Sequence, residues 1–236
     1  METTGISLNS MYWAMFIGVA LISFVVQSLL ESKFKKASKI LLRSGLTGAQ
    51  VAQKMLDDNG IKDVRITCVN GHLTDHYNPV DKTLNLSEDV YSQRTVAAAA
   101  VAAHECGHAL QHAFGYAPLR MRSALVPVVS FSSRIVTWVL LAGMLMINSF
   151  PNLMLAGIIL FALTTLFSLV TLPVEVNASR RALKWLNSAH ITDSINHEDA
   201  TATLRAAAYT YFVAALSSLA TLIYYILIFT SGSRRN

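Results

Sequence analysis

The sequence predicts a mainly α membrane protein in which about four transmembrane helices carry a small α+β domain on the cytoplasmic side. Composition is the first observation behind this. Of 236 residues, 53% are hydrophobic and only 14% charged, whereas ordinary soluble domains carry about a quarter charged residues. The second is four apolar runs, each near the ~20 helical residues that cross a bilayer. The third is the block of residues 31–122, which is polar and mixes helical with strand-like periodicity. A chain of this length suits one compact domain plus several spans better than two large soluble domains.

Residues 11–30 form the first run. Glu2 is the only charge before it, so it lacks the basic start of a cleavable signal and is read as a retained helix. Lys33, Lys35, Lys36 and Lys39 follow at once, which places the N-terminus outside and residue 31 onward in the cytoplasm. The net charge of +5 could suggest nucleic acid. However, the basic residues sit beside apolar runs without the aromatic interleaving of an RNA platform, so a nucleic-acid partner is not expected.

Within 31–122, residues 46–59 have helical spacing, with Thr47 as N-cap and Gly60 as the stop. Residues 64–69 alternate and are β-branched, Asn70-Gly71 is a turn signal, and residues 83–86 are expected to pair back after the Asn78-Pro79 break. An edge strand here could hold an extended peptide. Residues 95–113 read as an Ala-rich helix whose apolar stretch 96–103 is too short to span, hence a buried core helix. Cys68 and Cys106 form no disulfide framework, which favours a reducing compartment.

Residues 125–147 and 153–172 make a membrane hairpin. Its tip, 148–152, has no Lys or Arg and reads as external, so the chain returns to the cytoplasm just before Glu175. A last run, 212–229, is the fourth span and puts Arg234 and Arg235 outside, against the positive-inside tendency. The expected organisation is a helix over 1–30, a cytoplasmic domain over 31–122, a hairpin over 123–172, a cytoplasmic segment over 173–207 and a final helix with its tail over 208–236.

The chemistry is concentrated in His104-Glu105-Cys106-Gly107-His108, an HExxH pattern. Residues four apart on a helix project from nearly one face, so both imidazoles can reach one Zn²⁺ while Glu105 points about 100° around, toward a water. That arrangement suits hydrolysis with Glu105 as general base. Buried in an apolar helix, two histidines and a glutamate need partners, and a metal with its water would supply them. Cys106 reads as a packing residue.

Such a site needs a third ligand. His112 lies about 12 Å along the axis from His104, too far to join both histidines at one ion. It is read instead as an outer partner or a surface residue. Glu175 stands out among the acids because it follows the hairpin directly, after Pro173; pairing with Arg180 or Arg181 is its plainer explanation. Asp193, Glu198, Asp199, His190 and His197 lie in a polar stretch that reads as solvated loop. Tyr209 and Tyr211 could donate to a developing oxyanion, though interfacial tyrosines are commonly membrane anchors. Arg134 is expected to snorkel to the cytoplasmic side.

Three stretches resemble a known family. They are residues 102–112 around the HExxH motif, Asp75-His76-Tyr77-Asn78-Pro79 upstream, and Glu175-Val176-Asn177-Ala178-Ser179-Arg180-Arg181-Ala182 downstream. Together they are similar to the YugP-type neutral zinc metallopeptidases of bacterial membranes, and more distantly to the HtpX and CAAX prenyl protease lineage. In that lineage a glutamate after a membrane hairpin, within an ExxxD element, is the third zinc ligand. By position, the resemblance implies that Glu175 is the ligand and that the cytoplasmic domain is a zincin-like, gluzincin-like catalytic domain. Ser179 stands where the lineage has an aspartate that orients a zinc-bound histidine. Asn177, Asp75 or His76 could take that role, and the sequence does not choose among them.

The expected function is a multi-pass membrane endopeptidase with one zinc ion, hydrolysing membrane or membrane-proximal proteins through a zinc-activated water. Its partners are a protein or peptide substrate and membrane lipid, with room for a membrane-protein regulator or a homo-oligomer. An intramembrane site-2-type protease would need the HExxH helix itself to span. A non-catalytic zinc-binding scaffold or adaptor would have no use for Glu105.

Overall fold

The computed structural model describes residues 8–233. Along the chain run α1 (Leu8–Ala37), α2 (Gly48–Asp58), β1 (Arg65–Val69), β2 (His76–Asn78), β3 (Thr83–Ser87), α3 (Glu88–Tyr91), α4 (Val96–Ala113), α5 (Ala117–Leu145), α6 (Pro151–Ser188) and α7 (Asn196–Ser233). The protein is mainly α with a small sheet, as the composition predicts. Four helices are long and apolar enough to cross a membrane: α1 from Trp13, α5, α6 and α7. The HExxH helix, α4, is not among them. Glu2, Arg234 and Arg235, on which part of the topology reading draws, lie outside the described residues.

The chain divides into two compact units. The first comprises the described residues up to Val25, Met121–Leu172 and those from Tyr211 onward. Its interior is built by close approach of helices. A Cβ on Gly143 would lie 2.6 Å from the Met154 Cα, and one on Gly157 would lie 2.8 Å from Leu140 Cδ2. Only glycine lets α5 and α6 come together there, the usual use of small residues between membrane helices. Val136, Leu140, Met154 and Ile158 fill the seam. The Thr165 and Ser218 hydroxyls, 2.9 Å apart, join α6 to α7.

The second unit comprises Val26–Arg120 and Pro173–Thr210. Its core is a water-excluding cluster around α2, α4 and the sheet. Thr47 and Gln50 form a reciprocal capping box that starts α2, whose Val51, Ala52, Met55 and Leu56 are fully buried along one face. Thr95 caps α4 by accepting from the Ala98 N–H. The alanines of α4 are almost all buried, so neighbouring elements pack close to its backbone. Leu84 and Leu86 of β3 are wholly buried.

Several boundaries differ from the sequence reading. The strand over residues 83–87 does not fold back on β1. β1 and β3 are parallel, and His76–Asn78 forms an additional strand antiparallel to β3, giving the order β1-β3-β2. The segment between β1 and β3 is long enough to hold β2 and reverse direction twice, so Asn70-Gly71 is not a hairpin turn. Pro173 does not break the chain either. α6 runs through it from Pro151 to Ser188, because an interior proline forfeits one backbone bond while neighbours hold the rest. The stretch read as solvated loop shrinks likewise, since α7 starts at Asn196. There Asp193 Oδ1 accepts the N–H groups of Ile195 and Asn196, at 3.0 and 2.9 Å.

Candidate metal centre

Two helices of the second unit build the centre. His104 and His108 stand one turn apart on α4, and Glu175 and Ser179 one turn apart on α6. The helices touch at backbone level beside Gly107. A Cβ there would fall 2.7 Å from the Ala178 carbonyl oxygen and 3.0 Å from its Cα. The residue between the motif's cysteine and second histidine must therefore lack a side chain for α6 to bring its carboxylate in. Gly107→Ala is expected to push α4 from α6 and destabilise the protein by about 1–3 kcal/mol, the usual range for overpacking. Thermal unfolding of the pair would show it, and an unchanged midpoint would contradict the close approach.

The side chains converge. Glu175 Oε2 lies 3.3 Å from His104 Nε2 and 3.5 Å from His108 Nε2. The two rings are 4.8 Å apart and nearly perpendicular, at 87°. Glu175 is only 3% exposed. Donors bound tetrahedrally to one zinc at 2.0–2.1 Å are separated by about 3.3 Å. Two imidazole nitrogens and a carboxylate oxygen at this spacing, with the donor chemistry zinc prefers, therefore fit such an ion.

Two carboxylates compete for the role of ligand. His104, Glu105 and His108 also present ligand atoms within 4.8 Å of one another. Distance favours Glu175, whose oxygen lies within 3.5 Å of both nitrogens. Glu105 Oε2 instead accepts the Tyr77 N–H of β2 at 3.1 Å. That bond ties Glu105 to the edge strand and keeps its carboxylate beside the imidazoles.

The far sides of both rings are held as well. Ser179 Oγ lies 3.0 Å from His104 Nδ1, and Gln111 Oε1 lies 3.1 Å from His108 Nδ1. Gln111 is fully buried, and its Nε2 donates to the Val174 carbonyl at 2.7 Å and to Asn177 Oδ1 at 3.0 Å. With its nitrogen so used, only its oxygen can face His108. That makes Nδ1 the protonated atom and leaves the Nε2 lone pair directed at Glu175. Arg181 Nε, 2.8 Å from Asn177 Oδ1, steadies the relay. Burial works against a charged His108, but the Glu175 and Glu105 carboxylates and Gln111 outweigh it and hold its pKa above the ordinary value. A proton there must leave before that nitrogen can accept a cation.

The other sequence candidates have different surroundings. His112 Nδ1 is 3.2 Å from the Tyr77 hydroxyl, beside the strand that holds Glu105. Asp75 accepts the Ser87 N–H at 2.8 Å and the Ser87 hydroxyl at 3.0 Å, closing the loop before β2. Burial pushes the Asp75 carboxyl up, against those bonds. His76 faces the Thr74 carbonyl and Asn85. Asn177 reaches His108 only through Gln111. Tyr209 is 45% exposed, and Tyr211 belongs to the other unit. Asp193 pairs with Arg43 and Asp199 with Lys36, while His197 meets Thr192. Cys106 is fully buried with its thiol pushed well up by burial, as expected of a packing residue.

Gln111 and Ser179 went unrecognised in the sequence as orienting residues. Their signal was positional: Gln111 is three residues beyond His108, and Ser179 is four beyond Glu175, on the same faces as the ligand candidates.

A family model described as "Putative neutral zinc metallopeptidase" matches residues 12–230. The chain belongs to this family. The resemblance read from the three motif stretches is thereby borne out. Among its relatives, "Putative membrane protease YugP" of Bacillus subtilis (strain 168) is 43% identical over 215 residues, covering 91% of this chain and 95% of that protein. No solved structure matches the chain. Membership brings the expectation of zinc, and the four apolar helices agree with a membrane protein.

Proposed function

We propose that the protein is a membrane-bound endopeptidase holding one zinc ion through His104, His108 and Glu175 and acting on membrane or membrane-proximal proteins. The observation that carries this reading is the convergence of one carboxylate oxygen on two imidazole nitrogens, at 3.3 and 3.5 Å, beside a second glutamate that the edge strand holds apart. Zinc, when bound, would supply the Lewis acidity that activates water and polarises a peptide carbonyl. Glu105 accepts the proton of the attacking water and delivers it to the departing amine nitrogen. Gln111 and Ser179 hold the rings so that their Nε2 atoms face inward.

The edge strand offers the substrate a place. β2 is paired on one side only, with β3, and the Tyr77 N–H on its other side meets Glu105. A peptide lying extended along β2 would pass its backbone beside the general base. The Tyr77 hydroxyl and His112 Nδ1 are 3.2 Å apart beside the same strand, and whichever of the two accepts that bond keeps a proton to offer. The second unit is placed in the cytoplasm and the N-terminus outside, on the strength of the lysines after the first span.

Purified protein in detergent should cleave an unfolded protein substrate, lose that activity to a zinc chelator and recover it on addition of Zn²⁺. Cleavage that persists undiminished in the chelator would contradict the proposal.

A further inference from the structure

Between α6 and α7 lies a cavity of about 730 Å³. Arg180 and Lys184 line it from α6 and Arg205 from α7, yet no aspartate or glutamate does. Two of the nearby acids are paired elsewhere, and exposed Glu198 does not line the cavity. Asp193 pairs with Arg43 at 3.0 Å and Asp199 with Lys36 at 2.6 Å. None of the three cations has an ion pair among the described residues. Arg180, Lys184 and Arg205 are solvent-exposed, and three like charges on one concavity focus a positive potential that attracts an anion. The remaining wall is partly apolar, with Val176, Leu183, Leu204 and Ala208.

We infer that this cleft binds the phosphate headgroup of an anionic phospholipid. Two arguments select that ligand. The first is depth. Arg180 lies eight residues beyond the apolar run of α6, about 12 Å along its axis, and Arg205 lies seven residues before the apolar run of α7, about 10 Å. The polar layer of a bilayer extends roughly 5–8 Å beyond its hydrocarbon, and long arginine side chains reach across the remainder. Guanidinium forks also match phosphate oxygens in geometry. The second argument is direction. Ser179, in the cleft wall, meets His104 at Nδ1, the edge of the ring away from Glu175. The cleft thus opens behind the metal-site histidine, not on the side where a scissile peptide must lie. An apolar-walled anion site in that position suits a lipid better than a substrate.

Arg180 and Lys184 also border a smaller cavity of about 420 Å³ on the other side of α6. Arg205 lines only the larger one, so it is the discriminating residue.

The test uses the full-length protein in uncharged detergent, with bound lipid counted by native mass spectrometry during titration with phosphatidylglycerol or phosphatidylcholine. Wild type is expected to prefer phosphatidylglycerol. The combined variant Arg180→Gln, Lys184→Gln, Arg205→Gln should weaken that lipid on the order of 100-fold, and Arg205→Gln alone roughly fivefold, at about the worth of one interfacial cation each. A control, Lys33→Gln, Lys35→Gln, Lys39→Gln, removes the same charge at the end of α1 and should keep the preference. Should the combined variant fail to fold, the exposed single change at Arg205 still decides. Unchanged binding in the cleft variants, or equal loss in the control, would overturn the site. Inorganic phosphate displacing the lipid as well as phosphatidylglycerol itself would overturn the lipid assignment. The readout needs neither metal nor turnover, so it stands or falls apart from the peptidase reading.

Discussion

Glu175→Ala is expected to yield folded protein that no longer retains zinc. In the structure this carboxylate is the only group on α6 that touches both imidazole Nε2 atoms, at 3.3 and 3.5 Å. Without it, two neutral nitrogens remain on one side of the ion. Loss of a mere outer partner lowers metal affinity 10–100-fold, so loss of a direct ligand should exceed about 100-fold. Folding should survive because the α4–α6 contact rests on Gly107, Ala178 and the Gln111 bonds rather than on Glu175. Metal analysis after dialysis, with circular dichroism as the check on folding, measures the difference. Stoichiometric zinc in the alanine variant would show that another residue, Glu105 first, supplies the third ligand.

Glu105→Gln should have the complementary effect, keeping zinc while lowering turnover by about 10²–10⁴-fold, the range attributed to a positioned general base. The substitution is nearly isosteric, and a glutamine oxygen can still accept the Tyr77 N–H that now bonds Glu105 at 3.1 Å. What it cannot do is take a proton from water. A parallel assay of bound zinc and of proteolysis separates the enzyme from the scaffold. A variant with full zinc and full cellular function would favour a non-catalytic zinc-binding role.

Much of this was legible before any coordinates. His104, Glu105 and His108 carry their geometry in their spacing, because helical periodicity fixes which residues share a face. The four spans were legible for a similar reason, since length and apolarity are what a bilayer requires. The strand order was not, because β2 is three residues long and leaves no periodicity to read. That α6 runs on through Pro173 to Ser188 was not legible either, because a proline marks a helix end only on average. Ser179 and Gln111 were missed because their roles depend on which way a ring nitrogen faces. Only the meeting of α4 and α6 decides that. The resemblance to a lineage with aspartate in place of Ser179 even drew attention elsewhere, toward Asp75 and His76.

The claim on which the account depends is that one cation sits among His104, His108 and Glu175. Diffraction from crystals of the zinc-loaded protein, recorded on either side of the zinc absorption edge, tests it most directly. The expected result is one anomalous peak about 2.0–2.2 Å from His104 Nε2, His108 Nε2 and a Glu175 carboxylate oxygen, with Glu105 outside bonding distance. A peak bound by Glu105 in place of Glu175, or no peak between the two imidazoles, would contradict it.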